Sequence, residues 1–141
     1  VAAKAVWQVE QLRELYVTFA SSEAIGLSSI ASLVHPVGRD ENYGLGVQMD
    51  PEANQKVMAP IAPGLFAQLG IITWDELQLG SSWTPNITRG VIALDGEREI
   101  EFRAIDKVQL SLDRLGPRVI DVSKALGAAA KHGIMLSDSN E

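Results

Sequence analysis

Hydrophobic positions along this chain change period several times, and the changes divide it into stretches of different character. In the first, Val6, Val9, Leu12 and Tyr16 recur at near-helical spacing with Gln8, Gln11 and Arg13 between them, which predicts a helix over residues 2–14. A short strand follows over residues 15–19, where Leu, Tyr, Val, Thr and Phe stand in a row. Ser21, Ser22 and Glu23 make a polar turn. Small and apolar residues then dominate residues 24–33, the pattern of a short buried helix. That helix must stop by His35, because Pro36 disfavours helical geometry in the residue before it. Residues 38–42 read as a loop.

From Tyr43 onward short apolar runs alternate with Gly and Pro, at residues 45–49, 56–61 and 68–73, and read as strands of ordinary length. Thr73-Trp74-Asp75-Glu76 has the spacing of a capping box and predicts a single helical turn. The clearest local signal lies at residues 90–102, where Asp95-Gly96 separates two strand-like runs and predicts a hairpin with a type I′ turn. Its second arm alternates, with Arg98, Ile100 and Phe102 on one face and Glu97, Glu99 and Glu101 on the water side. Residues 108–113 alternate as a further half-buried strand, residues 115–118 turn, and residues 118–120 read as a last strand. A final helix over residues 124–131 is capped by Asp121 or Ser123 and stopped by Gly133. The sum is mainly β with flanking helices, an α+β chain whose short strands and frequent turns predict a sandwich or a curled sheet.

Composition narrows the function classes. The 141 residues fit one domain and show neither an internal repeat nor a linker. A net charge of -6 with scattered basic residues disfavours nucleic acid and anionic membranes as partners. No cysteine is present, which excludes disulfides and thiolate metal sites and fits the cytoplasm. Residues 1–6 lack the apolar core of a signal peptide, and no run is long enough to span a bilayer. Asn86-Ile87-Thr88 then reads as a loop tripeptide rather than a glycosylation site.

The chain has no phosphate-binding P-loop and no dinucleotide-fold glycine fingerprint. With only His35 and His132, a histidine-rich metal site is excluded; the first reads as structural, the second as a favourable charge at a helix C-terminus. Glu97, Glu99 and Glu101 read as a solvated strand face, Asp40-Glu41 as a loop pair. Trp7, Trp74 and Trp83 read as packing residues, with an exposed loop beside Thr84-Pro85 as the other reading for Trp83, and Met49, Met58 and Met135 as core fill. A strand that leads through small polar residues into a helix, as at residues 17–25, can offer free backbone N–H groups to an anion. A tightly packed strand–helix corner needs the same small residues, and both readings stand.

Three stretches in order carry a resemblance: residues 24–37, Ala59-Pro60-Ile61-Ala62-Pro63-Gly64-Leu65-Phe66, and the hairpin from Gly90 to Ile100. Together they resemble the acetoin-catabolism X branch of the ATP-NAD kinase family, over roughly residues 15–130. The family's T-P-T-G-S-T-A-Y motif lies along a bound dinucleotide. Thr18, Ser22 and Ala24 match it and are the implied binding residues. Phe19, Ser21, Glu23 and Ile25 stand where the family has Pro, Gly, Thr and Tyr; Ile25 lacks a hydroxyl, and Glu23 brings a negative charge. Asp95-Gly96-Glu97 is similar to an Asp-Gly-Glu hairpin that lies close to the nucleotide in lipid kinases of the wider superfamily, which adds Asp95 and Glu97. The resemblance implies a β-sandwich-like C-terminal domain with a nucleotide partner, NAD as acceptor, ATP or polyphosphate with Mg²⁺ as donor, and assembly into homo-oligomers. It implies that the catalytic Gly-Gly-Asp-Gly motif belongs to an N-terminal α/β domain outside these residues, so that no catalytic residue lies here and the chain alone is inactive. A non-catalytic ligand-binding module and an oligomerisation domain are the other readings.

Overall fold

The computed structural model describes residues 8–94, 98–116, 119–134 and 136. The chain is mainly β with flanking helices, as the pattern predicts. Four strands, β1 (Glu14–Val17), β2 (Tyr43–Met49), β3 (Gln55–Ala62) and β4 (Leu65–Gln78), form an antiparallel sheet in the order β1-β2-β4-β3. Two small antiparallel sheets follow: β5 (Ser82–Trp83) with β8 (Leu110–Ser111), and the hairpin β6 (Gly90–Leu94) with β7 (Arg98–Phe102). Helix α1 (Leu27–Val34) packs against β3, and α2 (Val122–Lys131) closes the described chain.

The alternation in Tyr43-Gly44-Leu45-Gly46-Val47 explains why β2 lies inside the sheet. Leu45, Val47 and Met49 point to one face and are buried with Leu69, Ile71, Ile30 and Ala31. Each such fully buried aliphatic side chain contributes roughly 1.5–3 kcal/mol. The glycines point to the other face, where neighbours close in on the backbone. A Cβ on Gly44 would stand 2.6 Å from the Val17 carbonyl oxygen, and one on Gly46 would stand 3.2 Å from both Leu77 and Tyr16.

Strand β4 runs for 14 residues because its first half pairs with β3 and its second half with β2. A bulge between Gln48 and Met49 skips Ile72, so Trp74 and Glu76 come to share a face with Val47 and Leu45. Residues 73–76 are therefore strand, not the helical turn expected of them: the ladder to β2 supplies tertiary hydrogen bonds that outweigh a local cap.

Helix α1 ends where Pro36 requires, and His35 caps it by donating its N–H to the Ala31 carbonyl at 2.8 Å. It starts at Leu27, later than the pattern indicated, because Gly26 takes a φ of 99°, open only to glycine at little cost. Ala20 pairs with Val37 and ties the chain together on either side of the helix.

Other expectations need correction. Val9–Gln11 is a single 3-10 turn and Glu14 already belongs to β1, so helix does not extend to residue 14; residues 2–7 lie outside the described residues. The alternation of Leu15 and Val17 toward the core wins over the helical spacing. Val119 and Ile120 belong to no strand and are about four-fifths exposed. The strand expected at residues 108–113 shrinks to Leu110–Ser111. Met49 is core, but Met58 is 55% exposed; Trp7 and Met135 lie outside the described residues. The hairpin forms with Leu94 opposite Arg98, while the expected turn at Asp95-Gly96 lies outside the described residues. At the last helix Asp121 is the cap, accepting from the Lys124 N–H at 2.9 Å, and Gly133 follows with φ 67°.

Gly70 offers the sharpest test of this packing. A Cβ there would sit 1.9 Å from the Asp50 carbonyl oxygen, so Gly70→Ala should destabilise the fold by about 3 kcal/mol in urea titration. Gly127→Ala, inside helix α2 where a Cβ meets nothing within 4 Å, should leave the urea midpoint in place or raise it slightly, because alanine favours helix over glycine.

Candidate functional site

Strand β1 is an edge of the four-stranded sheet, and β6 lies beyond it without pairing to it. Between them opens a cleft of about 420 Å³, within the usual range for a small-molecule site. Its walls are Leu12, Leu15 and Leu27 on one side and Val91, Ile92 and Leu94 on the other, with Ile87 and Phe102 between. A second cavity of about 460 Å³ lies on the far side of Pro85, Ile87 and Phe102, which line both; it is more polar, with Thr84, Thr88 and Lys107 in its lining.

Glu14 holds the cleft's shape. One carboxylate oxygen accepts the Tyr16 hydroxyl at 2.5 Å, and the other accepts the Asn86 N–H at 2.7 Å. The second bond joins positions 72 residues apart and ties the loop before β6 to the first strand. Burial, then the hydrogen bond to Glu14 and its charge, push the Tyr16 hydroxyl far above its ordinary range. At neutral pH it is a fixed donor and cannot serve as a base.

Two guanidinium groups complete the lining. Arg13 is turned back, donating to the carbonyls of Glu10 at 3.0 Å and Leu12 at 3.2 Å. Arg89 has no hydrogen-bond or ion-pair partner among the described residues. With the Glu14 carboxylate occupied by two donors, Arg89 is the uncommitted charge of the cleft. An apolar trough with a free cation at its rim suits a flat, partly apolar molecule with an anionic group.

The binding residues expected from sequence stand beside this cleft. Thr18 and Ser22 are exposed and Ala24 is half-buried, all on the connection between β1 and α1. None of the three lines the cleft, yet Leu15 and Tyr16 just before the connection and Leu27 just after it do. Glu23 is exposed, its N–H held by the Ser21 hydroxyl at 3.3 Å, and Ile25 is 58% exposed. Asp95 and Glu97 lie outside the described residues, but the β6 arm that leads to them is a wall of the cleft. Glu14, Tyr16, Asn86 and Arg89 were not singled out from sequence; a pairing across 72 residues leaves no local signature.

His35 stacks on Trp74 at 4.6 Å and 14°, with the Tyr43 hydroxyl 3.5 Å from its Nε2 and Glu76 at 3.9 Å, and acts there as a packing residue. Among the described residues no group of three His, Asp or Glu side chains could hold a metal ion, and no helix is long and apolar enough to cross a membrane.

Comparison with known proteins places these features in context. Residues 1–115 match the family model of the acetoin catabolism protein X C-terminal domain. The chain is 40% identical over 139 residues to the acetoin catabolism protein X of Cupriavidus necator, a match that covers 97% of this chain and 39% of that relative. The chain thus spans about two fifths of the relative's length. No solved structure matches it significantly.

The Tyr16–Glu14 bond predicts an alkaline sensitivity. Above pH of about 10 an unfolded tyrosine loses its proton while Tyr16 in the fold keeps its own, so the unfolded state binds fewer protons and stability falls as pH rises. Urea midpoints measured from pH 8 to 11 should fall more steeply for the wild type than for Tyr16→Phe.

Proposed function

Because this chain belongs to the acetoin catabolism protein X C-terminal domain family, we propose that it is the acceptor-binding part of an NAD-kinase-like protein associated with acetoin catabolism. In this reading the cleft between β1 and β6 receives part of NAD. The observation that carries it is the meeting of both flanks of the Thr18–Ala24 motif with the β6 arm around one apolar trough bearing Arg89. The apolar walls would hold a base or ribose face, and Arg89 would pair with a phosphate. Thr18, Ser22 and Ala24 would line the approach from the connection, with Asp95 and Glu97 at the hairpin tip.

The chain's own part would be to bind and orient. Phosphoryl transfer needs a phosphate cradle, a metal and a base held together. ATP or polyphosphate and Mg²⁺ would be held by the rest of a longer protein, since the described residues offer Mg²⁺ no ligand set. Tyr16 stays protonated and Glu14 is engaged by two donors, so neither would deprotonate an acceptor hydroxyl. The fragment alone would be inactive, and the family resemblance favours a homo-oligomer.

A second reading has its own support. Glu23 and the exposed Ile25 replace the motif's Thr and Tyr, which would suit a module that keeps the fold but takes a small ligand other than a dinucleotide, or serves assembly.

Isothermal titration of NAD, and separately of ATP, with and without Mg²⁺, separates the readings. Saturable heat with NAD is expected, weakened about tenfold or more by Arg89→Ala, the cost of one charge-assisted hydrogen bond. Ser22→Trp should block the same binding if the connection forms the mouth of the cleft. Absence of NAD binding in the full-length protein as well would overturn the dinucleotide reading and leave the second.

A further inference from the structure

Helix α2 is the element for which the described fold supplies no partner. None of its ten residues is buried. Yet its sequence is two-faced: Val122, Ala125, Leu126 and Ala129 fall on one side at helical spacing, with Lys124 and Lys131 opposite. Val122 is 63% and Leu126 56% exposed, and the flanking apolar residues Val119, Ile120, Ile134 and Leu136 are between 73% and 82% exposed. A contiguous apolar stripe of this kind marks an interface rather than a free surface. The ends of the helix are built as carefully as those of a packed one, with Asp121 capping the start and Gly133 in the left-handed region past the end.

Two observations bear on what covers it. The family's C-terminal domain model stops at residue 115, so α2 stands outside the unit to which the β-rich part belongs. The match to the Cupriavidus necator protein nevertheless runs over 97% of this chain, so the segment carrying α2 is kept in a relative of which this match takes up only 39%. We infer that the apolar stripe of α2, centred on Val122 and Leu126, docks on the part of a longer polypeptide that lies outside these 141 residues and ties that part to the β domain. The occupant's surface must be apolar at its centre, to meet Leu126, while Lys124 and Lys131 on the opposite side of the helix stay turned to water.

Hydrogen exchange of the full-length polypeptide, set against this chain alone, tests the inference directly. Amides of residues 122–131 should exchange fast in the isolated chain and at least about tenfold more slowly in the full-length protein. Leu126→Glu should abolish that protection in the full-length protein while leaving the urea midpoint of the isolated chain unchanged. Equal exchange in the two proteins would sink the inference. So would concentration-dependent self-association of the isolated chain, read by sedimentation and lost on Leu126→Glu, because the stripe would then belong to a second copy. The wild-type exchange comparison decides the matter even if the substituted full-length protein fails to fold.

Discussion

The carbonyl of Pro60 sits on an edge strand, where a backbone acceptor has no strand to bond beyond it. The Gly26 N–H fills that vacancy at 2.9 Å, and the Ser29 hydroxyl, which bonds the Gly26 carbonyl at 2.6 Å, lies 3.3 Å from the same oxygen. Three consequences follow from this one junction. The edge is covered and cannot recruit another chain at that point. Helix α1 is seated on β3 so that Ile30 and Ala31 reach the core with no exposure at all. The connection from β1 is drawn across the end of the sheet, bringing Leu27 round to face β6. Proline suits the position because an edge strand does not miss its absent N–H, and glycine suits position 26 because its φ of 99° turns the chain sharply enough to deliver the N–H.

What was legible in the sequence was the set of elements whose local preference agrees with their tertiary setting. The helix stopped by Pro36, the strand at residues 45–49, the hairpin arms and the last helix with Asp121 among its two candidate caps all read directly, because the same residues satisfy both the local rule and the packing. Where local and global demands part, the pattern misled. Thr73-Trp74-Asp75-Glu76 has a cap's spacing, but β2 offers those residues a ladder and the ladder wins. Leu12 and Tyr16 keep helical spacing with Val9, yet Leu15 and Val17 are the residues the core takes, and a strand exposes them to it where a helix would not. Val119 and Ile120 carry strand-forming side chains and find no partner within the described residues.

The site was legible only at its margins. Sequence pointed to the connection at residues 18–24 and to the hairpin, and these lie at either side of the cleft. The groups that give the cleft its shape and charge, Glu14, Tyr16, Asn86 and Arg89, belong to no motif that points to this cleft. They are brought together by a hydrogen bond that spans half the chain, and such a bond is a property of topology, invisible to periodicity.

That bond also fixes the electrostatics of the cleft. In a chain with a net charge of -6, an apolar trough next to a free carboxylate would repel any phosphate-bearing ligand. Glu14 instead accepts the Tyr16 hydroxyl and the Asn86 N–H, one on each oxygen, so part of its charge is spread over two donors. Arg13 is likewise committed, to backbone carbonyls behind the wall. Arg89 is left as the one charge in the lining with no described partner, just before the strand that leads to the hairpin tip. A carboxylate used as a girder and a guanidinium left uncommitted are how an acidic chain can present a locally cationic surface. The same bond keeps the Tyr16 hydroxyl protonated, so that in this wall of the cleft the tyrosine is a donor fixed in place by the carboxylate beside it.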